Sequence, residues 1–103
     1  MKIRWHKRAV AQLYEVENYV LWKFGEQTRQ EFMDEVEQSA LKLSDMPMMG
    51  ALDPLFAHRK RAYRSIIVRK LNKVVYYVDG GAVHIAAFWD CRREPRNQAA
   101  QVK

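Results

Sequence analysis

Cysteine, proline and glycine are scarce in this sequence, and no long apolar run is present. The single cysteine, Cys91, excludes an internal disulfide, which is typical of proteins that work in a reducing compartment. No apolar stretch approaches the roughly 20 residues that a membrane-spanning helix needs, and no apolar signal segment follows the charged amino terminus. We therefore expect a cytoplasmic protein that has no membrane partner.

The three histidines of the chain do not form a recognisable metal motif. His6, His58 and His84 lack the paired spacing with which short motifs hold zinc. We therefore expect neither a metal ion nor another cofactor.

Positive charge is concentrated in the second half of the chain. Residues 1–57 carry seven Lys and Arg against nine Asp and Glu, whereas residues 58–103 carry eleven against three. A basic face of this kind favours a polyanion or an acidic protein segment as partner. The alternative is a solvated basic surface that only keeps the protein soluble.

Two helices are predicted in the first half, after a short strand that contains Ile3 and Trp5. Apolar residues then recur at spacings of three and four up to Gly25, a typical residue just past a helix end. Residues 28–31 have the spacing of a capping box and mark the start of a second helix, with Glu26 and Gln27 as the alternative first turn, and Pro47 ends the helix. The link is so short that the two helices must form an antiparallel hairpin.

Three antiparallel strands are predicted in the second half, in the segments YRSIIVRK, KVVYYVD and AVHIAAFWD. Asp79–Gly81 provides a tight turn between the last two strands, and Leu71–Asn72 is a weaker turn between the first two. Residues 46–58 form a methionine-rich loop, which we expect to pack on the far side of the sheet. The predicted fold class is α+β, with the helical hairpin packed on an antiparallel sheet of about four strands in the order β-α-α-β-β-β.

Both faces of the predicted strands carry apolar side chains. Alternation places Ile85 and Trp89 on one face and Phe88 on the other. Strands that are apolar on both sides are covered on both sides or are completed by a partner. Phe88, Trp89 and some of the tyrosines are candidates for an exposed apolar patch that a partner covers, and the alternative is that each of them belongs to the core.

Four segments, taken in order, carry a resemblance to a known family. They are IRWHKRAVAQL, VENYVLWKFG, Pro47–Gly50, and YRSIIVRKLNKVVYYVD followed by VHIAAFWDCRREP. Together they resemble the RelE/ParE superfamily, the toxin halves of type II toxin–antitoxin systems, also known as plasmid stabilisation proteins. The resemblance implies a toxin domain over residues 1–93, a polar tail over residues 94–103, a curved sheet, and a cognate antitoxin that wraps the toxin.

The resemblance also implies candidate catalytic residues. Ribosome-dependent members of this superfamily cut messenger RNA without a metal ion and use basic residues on the central strands. Carried across by position, Arg64 and Lys73 correspond to these cations, and Arg92 or Arg93 corresponds to the cation at the end of the last strand. In an endoribonuclease such cations stabilise the charge that develops on the phosphate.

The nuclease pattern is incomplete in this chain. Ile66 stands where a second lysine is expected, and no tyrosine follows Val83. His58 and His84 are the alternative groups for proton transfer. The resemblance is therefore nearer to ParE, whose members poison DNA gyrase and lack the nuclease residues.

Three functions are compatible with the sequence. The first is a growth-inhibiting toxin that binds an essential target, DNA gyrase, and is neutralised by its antitoxin. Its candidate contacts with a partner are Arg61, Arg64, Phe88, Trp89 and Arg93. The alternatives are a RelE-type endoribonuclease that acts on messenger RNA at the ribosome, and a non-toxic nucleic-acid-binding module.

Overall fold

Two helices cover one face of a five-stranded sheet in the computed structural model, which describes residues 1–91. In chain order the elements are β1 (Lys2–Trp5), α1 (Lys7–Phe24), α2 (Glu26–Asp45), β2 (Ala51–Leu52), a short 3-10 helix (Pro54–Phe56), β3 (Arg64–Val68), β4 (Asn72–Asp79) and β5 (Ala82–Asp90). The predicted α+β class and the helical hairpin are confirmed. The predicted domain boundary, with a domain over residues 1–93 and a tail over residues 94–103, lies outside the described residues.

The sheet has five strands rather than about four, and it is mixed rather than purely antiparallel. Its strand order is β1-β5-β4-β3-β2. β1 runs parallel to β5, and the other neighbouring strands pair antiparallel. A parallel pair needs a long connection, which the intervening chain provides between β1 and β5. The sequence pattern did not reveal β2 because it has only two residues, within a segment predicted as a loop.

The helical hairpin reverses at Gly25. α1 ends at Phe24, and Gly25 has a φ of 94°, which glycine adopts without strain. α2 begins at Glu26, two residues before the predicted capping box. Arg29 of α2 donates to Glu17 of α1 at 2.8 Å, and this bond joins the two helices. Arg29 also donates to Glu26 within α2. Within residues 1–91, neither helix combines the length and the apolar character needed to cross a membrane.

The face of the sheet that meets the helices holds the larger core. Phe32 of α2 and Phe88 of β5 meet edge to face, with their ring centroids 6.0 Å apart. The buried residues of this core are Ala9, Leu13, Phe32, Val36, Leu43, Val68, Val74, Tyr76, Val83, Ile85 and Phe88. Removal of these apolar side chains from water is the main contribution that holds the helices on the sheet.

The opposite face of the sheet is covered by the loop between α2 and β3. Phe56 of this loop stacks on Trp89 with the ring centroids 6.0 Å apart, and Tyr63 packs against both Phe56 and Tyr77. The loop therefore packs on the far side of the sheet, as predicted. Phe88 and Trp89 are each only 1% exposed, so the expectation that they form an exposed apolar patch is wrong.

A β-bulge in β5 changes which side chains share a face. Tyr76 pairs with Ile85, but the preceding residue of β4 pairs with Ala87, so Ala86 is an extra residue on β5. An extra residue shifts the alternation of side chains by one position. Ile85 and Phe88 consequently both face the helices, whereas strict alternation predicted opposite faces for them.

The turn between β3 and β4 comprises residues 69–71, so it contains Leu71 of the predicted Leu71–Asn72 turn but is centred on Arg69 and Lys70. Both residues have positive φ values, 53° and 65°, as a tight hairpin turn requires. Asn72 is instead the first residue of β4, and it is buried. Long basic residues rarely adopt this conformation, so nothing in their identity marks the turn in the sequence.

Candidate functional site

Arg64 lies on the helix-facing side of β3 and fixes the start of the loop. Its Nη1 donates to the carbonyl oxygen of Gly50 at 2.7 Å. The backbone N–H of Gly50 donates to the hydroxyl of Tyr76 at 2.9 Å, and that hydroxyl donates to the carbonyl of Pro47 at 2.8 Å. Burial raises the pKa of Tyr76, although the Gly50 hydrogen bond and the Arg64 charge oppose the shift. Arg64 thus belongs to a structural network.

Lys73 lies on the loop-covered side of β4, where it forms a buried ion pair. Its Nζ is 2.9 Å from Oδ2 of Asp53, and the two side chains are only 13% and 4% exposed. The same ammonium group lies 5.7 Å from the ring centroid of Trp89. Burial alone would raise the pKa of Asp53, but hydrogen bonds from Lys73 and from the backbone N–H of Leu55 outweigh it, so the pKa is lowered.

The structure does not bring the candidate catalytic residues together. Arg64 is opposite Tyr76 in the β3–β4 pairing, and Tyr76 is three residues from Lys73. An odd separation along a strand places side chains on opposite faces. The two cations therefore lie on different sides of the sheet, and each already has an internal partner. Arg92 and Arg93 lie outside the described residues.

The Asp53–Lys73 pair makes stability depend on pH at acidic values. Because folding lowers the pKa of Asp53, its contribution is complete above the unfolded pKa of about 3.9 and is lost as the pH falls through the folded pKa. The free energy of unfolding should therefore fall between about pH 5 and about pH 3. We expect this fall to be smaller in Asp53→Asn than in the unmodified protein. Urea unfolding across this range measures it, and an unchanged pH slope in the variant would contradict this interpretation.

A groove opens beside the helical hairpin, next to the β3–β4 turn and the end of β5. Its volume is about 590 Å³, and its wall is mostly apolar. It is lined by Glu15, Val16, Tyr19, Val20, Phe24, Thr28, Phe32, Arg69, Leu71, Asn72 and Asp90. Arg69 also pairs with Glu35 of α2 at 2.7 Å. Concave apolar surface of this size is typical of a site that receives another molecule.

Three aromatic residues near the end of α1 form an exposed surface beside this groove. Trp22 is 82% exposed, and Tyr19 and Phe24, which line the groove, are also exposed. The Tyr19 ring lies 6.4 Å and 6.5 Å from the other two ring centroids. We call these three residues the aromatic surface. Sequence reasoning missed it, although Trp22 lies two residues after the packed Val20 and hence about 200° around the helix.

A second cluster lies on the loop-covered face, near the edge strand β1. The rings of Tyr77 and His84 stack with their centroids 4.7 Å apart, and the ring of His6 meets both edge-on at 5.8 Å. The guanidinium carbon of Arg61 lies 4.2 Å from the Tyr77 centroid. We call these four residues the imidazole cluster. The sequence pattern did not reveal it because the pairing of β1 with β5 joins His6 to His84 across most of the chain.

The third histidine occupies a different place. His58 lies in the loop and accepts a hydrogen bond from Nε of Arg59 at 3.2 Å. Within residues 1–91, no three histidine, cysteine, aspartate or glutamate side chains form a group that could hold a metal ion.

Comparison with known proteins identifies the family. The sequence model of the ParE toxins of type II toxin–antitoxin systems, parDE, matches residues 3–95. A solved structure described as "Chromosomal ParDE TA system from P. aeruginosa" contains a chain with a TM-score of 0.71 and 15% sequence identity, and the match covers 87% of this chain and 95% of that chain. No curated protein matches the sequence.

Proposed function

The chain belongs to the ParE toxin family of type II toxin–antitoxin systems, and from this premise we propose that it inhibits growth by binding DNA gyrase and is neutralised by a cognate antitoxin. It acts through contacts between proteins and not through cleavage of RNA. The observation that carries this proposal is the separation of Arg64 from Lys73 on opposite faces of the sheet.

A ribosome-dependent endoribonuclease is less well supported by the geometry. Cleavage without a metal needs cations that converge on one phosphate. Arg64 donates to the Gly50 carbonyl, and Lys73 is paired with Asp53, so neither cation is available without a rearrangement of the loop. A non-toxic nucleic-acid-binding module is less well supported, because the groove beside the aromatic surface is mostly apolar and its charged residues are Glu15, Asp90 and a single cation, Arg69.

The aromatic surface supports binding to another protein. Exposed tryptophan and tyrosine next to an apolar groove are the residues that most often dominate the energy of protein contacts. Among residues 1–91, Trp22 is the most exposed large apolar residue at 82%, so its side chain contributes little to the fold of the free protein. We propose that this surface contacts the target or the antitoxin.

Trp22→Ala is expected to abolish most of the growth inhibition without unfolding the protein. Removal of a central interface tryptophan costs about 2 kcal/mol or more of binding, which is roughly a 30-fold loss of affinity. The stability should change by no more than about 0.5 kcal/mol, because the side chain is exposed. Growth after induction and inhibition of gyrase supercoiling by the purified protein measure the effect.

Leu41→Ala provides a matched control for this experiment. Leu41 is 54% exposed on α2, more than two turns along the helix from the groove residue Phe32, and should retain full toxicity. Intact supercoiling together with transcripts cut at ribosomes would overturn the proposed target. Toxicity equal to that of the unmodified protein in Trp22→Ala would exclude the aromatic surface from the contact.

A further inference from the structure

The imidazole cluster lies on a positively charged part of the sheet. Ile3 and Trp5 of β1 pack against the helix-facing core, so the alternating residues Lys2 and Arg4 lie on the opposite face. Arg4 is the β-pairing partner of His84. Lysine, arginine and histidine thus follow one another at every second position along the edge of the sheet, ending at the imidazole cluster.

The pKa of His6 reports the sign of the local field. Burial lowers the pKa of His6, and the charges of His84 and Arg61 lower it further. The phenol of Tyr77, with its oxygen 3.4 Å from Nε2 of His6, is the group that faces it from β4. The carboxylate of Asp79 lies 3.9 Å from Arg61 and partly offsets this positive charge. The positive charges of Arg61 and His84 disfavour the protonated form of His6, and a bound anion would favour that form.

The hydrogen bond of His84 determines which of its ring nitrogens can bind a ligand. Its Nε2 lies 3.1 Å from the carbonyl oxygen of Asp79. A carbonyl oxygen can only accept, so Nε2 carries the proton and Nδ1 is the remaining polar atom of the ring. Nδ1 donates only in the imidazolium form, and a ligand that accepts hydrogen bonds is therefore bound together with a proton.

We propose that His6, Arg61 and His84 form a binding site for the phosphate oxyanion of a nucleic-acid backbone. A phosphate accepts hydrogen bonds from several cationic donors at once, and here a guanidinium and two imidazoles gather around the ring of Tyr77. Lys2 and Arg4 extend the positive charge beyond the cluster, as a polymer with one charge per nucleotide requires. This proposal is independent of the proposed target and of the aromatic surface.

Binding of a labelled single-stranded oligonucleotide to the whole protein, followed by fluorescence anisotropy at several salt concentrations, tests the proposal. Arg61→Ala should weaken binding about tenfold, since a charge-assisted hydrogen bond is lost. Asp79→Asn should strengthen binding, because it removes the opposing carboxylate and asparagine suits the same turn. The control Lys42→Ala, which removes one charge from the last turn of α2, should change the affinity by less than about twofold.

Proton linkage gives a second readout. Oligonucleotide affinity should fall as the pH rises and His6 loses its proton, and His6→Asn should flatten this dependence. In NMR titrations the pKa of His6 should rise when the oligonucleotide is bound.

Several results would overturn the proposal. If Arg61→Ala and Lys42→Ala weakened binding equally, the binding would depend only on net charge and not on this site. Inorganic phosphate that competes as well as the oligonucleotide would exclude the polymer as the ligand. Polyglutamate that binds with the same affinity and the same dependence on Arg61 would assign the site to an acidic protein segment instead.

Discussion

Asp53→Ala is expected to destabilise the protein by about 3–5 kcal/mol, because it leaves the ammonium group of Lys73 buried without its partner. The carboxylate also accepts a hydrogen bond from the backbone N–H of Leu55 at 3.0 Å, at the start of the short 3-10 helix. A loss of this size is a large part of the stability of a small domain. The midpoint of urea unfolding measures it.

The double variant Asp53→Ala with Lys73→Met separates the charge from the packing. Methionine is close in size to lysine and carries no charge, so most of the lost stability should return, except about 1 kcal/mol for the Leu55 hydrogen bond. If Lys73 has a structural function only, a refolded double variant keeps its toxicity. A double variant as unstable as Asp53→Ala alone would contradict the ion-pair explanation.

Gly50→Ala is the second substitution with a large expected effect on the fold. A Cβ at this position would lie 2.7 Å from the backbone oxygen of Ser65 and 2.7 Å from the hydroxyl of Tyr76. The first of these atoms belongs to β3 and the second is fully buried, so neither can move cheaply. We expect a loss of about 2–4 kcal/mol, from crowding and from weakened hydrogen bonds to Gly50.

Gly80→Ala is the matched control for this crowding. At Gly80 a Cβ meets no atom within 4 Å, but its φ of 59° makes alanine strained there. The cost should therefore be only about 1 kcal/mol. Chemical denaturation and near-ultraviolet circular dichroism of both variants compare the two effects. If Gly50→Ala lowered the free energy of unfolding less than Gly80→Ala, the loop at Gly50 would be able to move and relieve the crowding.

The helical hairpin could be predicted because it depends on local rules. Apolar spacing, a glycine at the reversal and a proline after the second helix are all read from neighbouring residues. The apolar residues at both parities of the strands left open whether the chain or a partner covers the second face, and the loop covers it in the structure. The parallel pairing of β1 with β5 could not be predicted, because it joins the two ends of the described chain.

The separation of Arg64 from Lys73 depends on where the chain turns between β3 and β4. A two-residue turn at Leu71–Asn72 would pair Lys70 with Lys73 and would place Arg64 on the same face as Lys73. The observed three-residue turn, residues 69–71, pairs Arg64 with Tyr76, which puts the two cations on opposite faces. A register shift by an odd number of residues moves side chains to the opposite face of the sheet, so the position of this turn decides whether the two cations share a face. The candidate residues themselves came from the resemblance and carried no information about register.

The parallel pairing of β1 with β5 constrains how the protein is made. The first strand of the chain has only the last described strand as its neighbour in the sheet, so the edge cannot close before Asp90 has been synthesised. At a synthesis rate of roughly 5–20 residues per second, β1 and the helices wait for several seconds without their sheet. A newborn chain therefore cannot complete its sheet until β5 has been made, and until then the helices lack the face on which they pack.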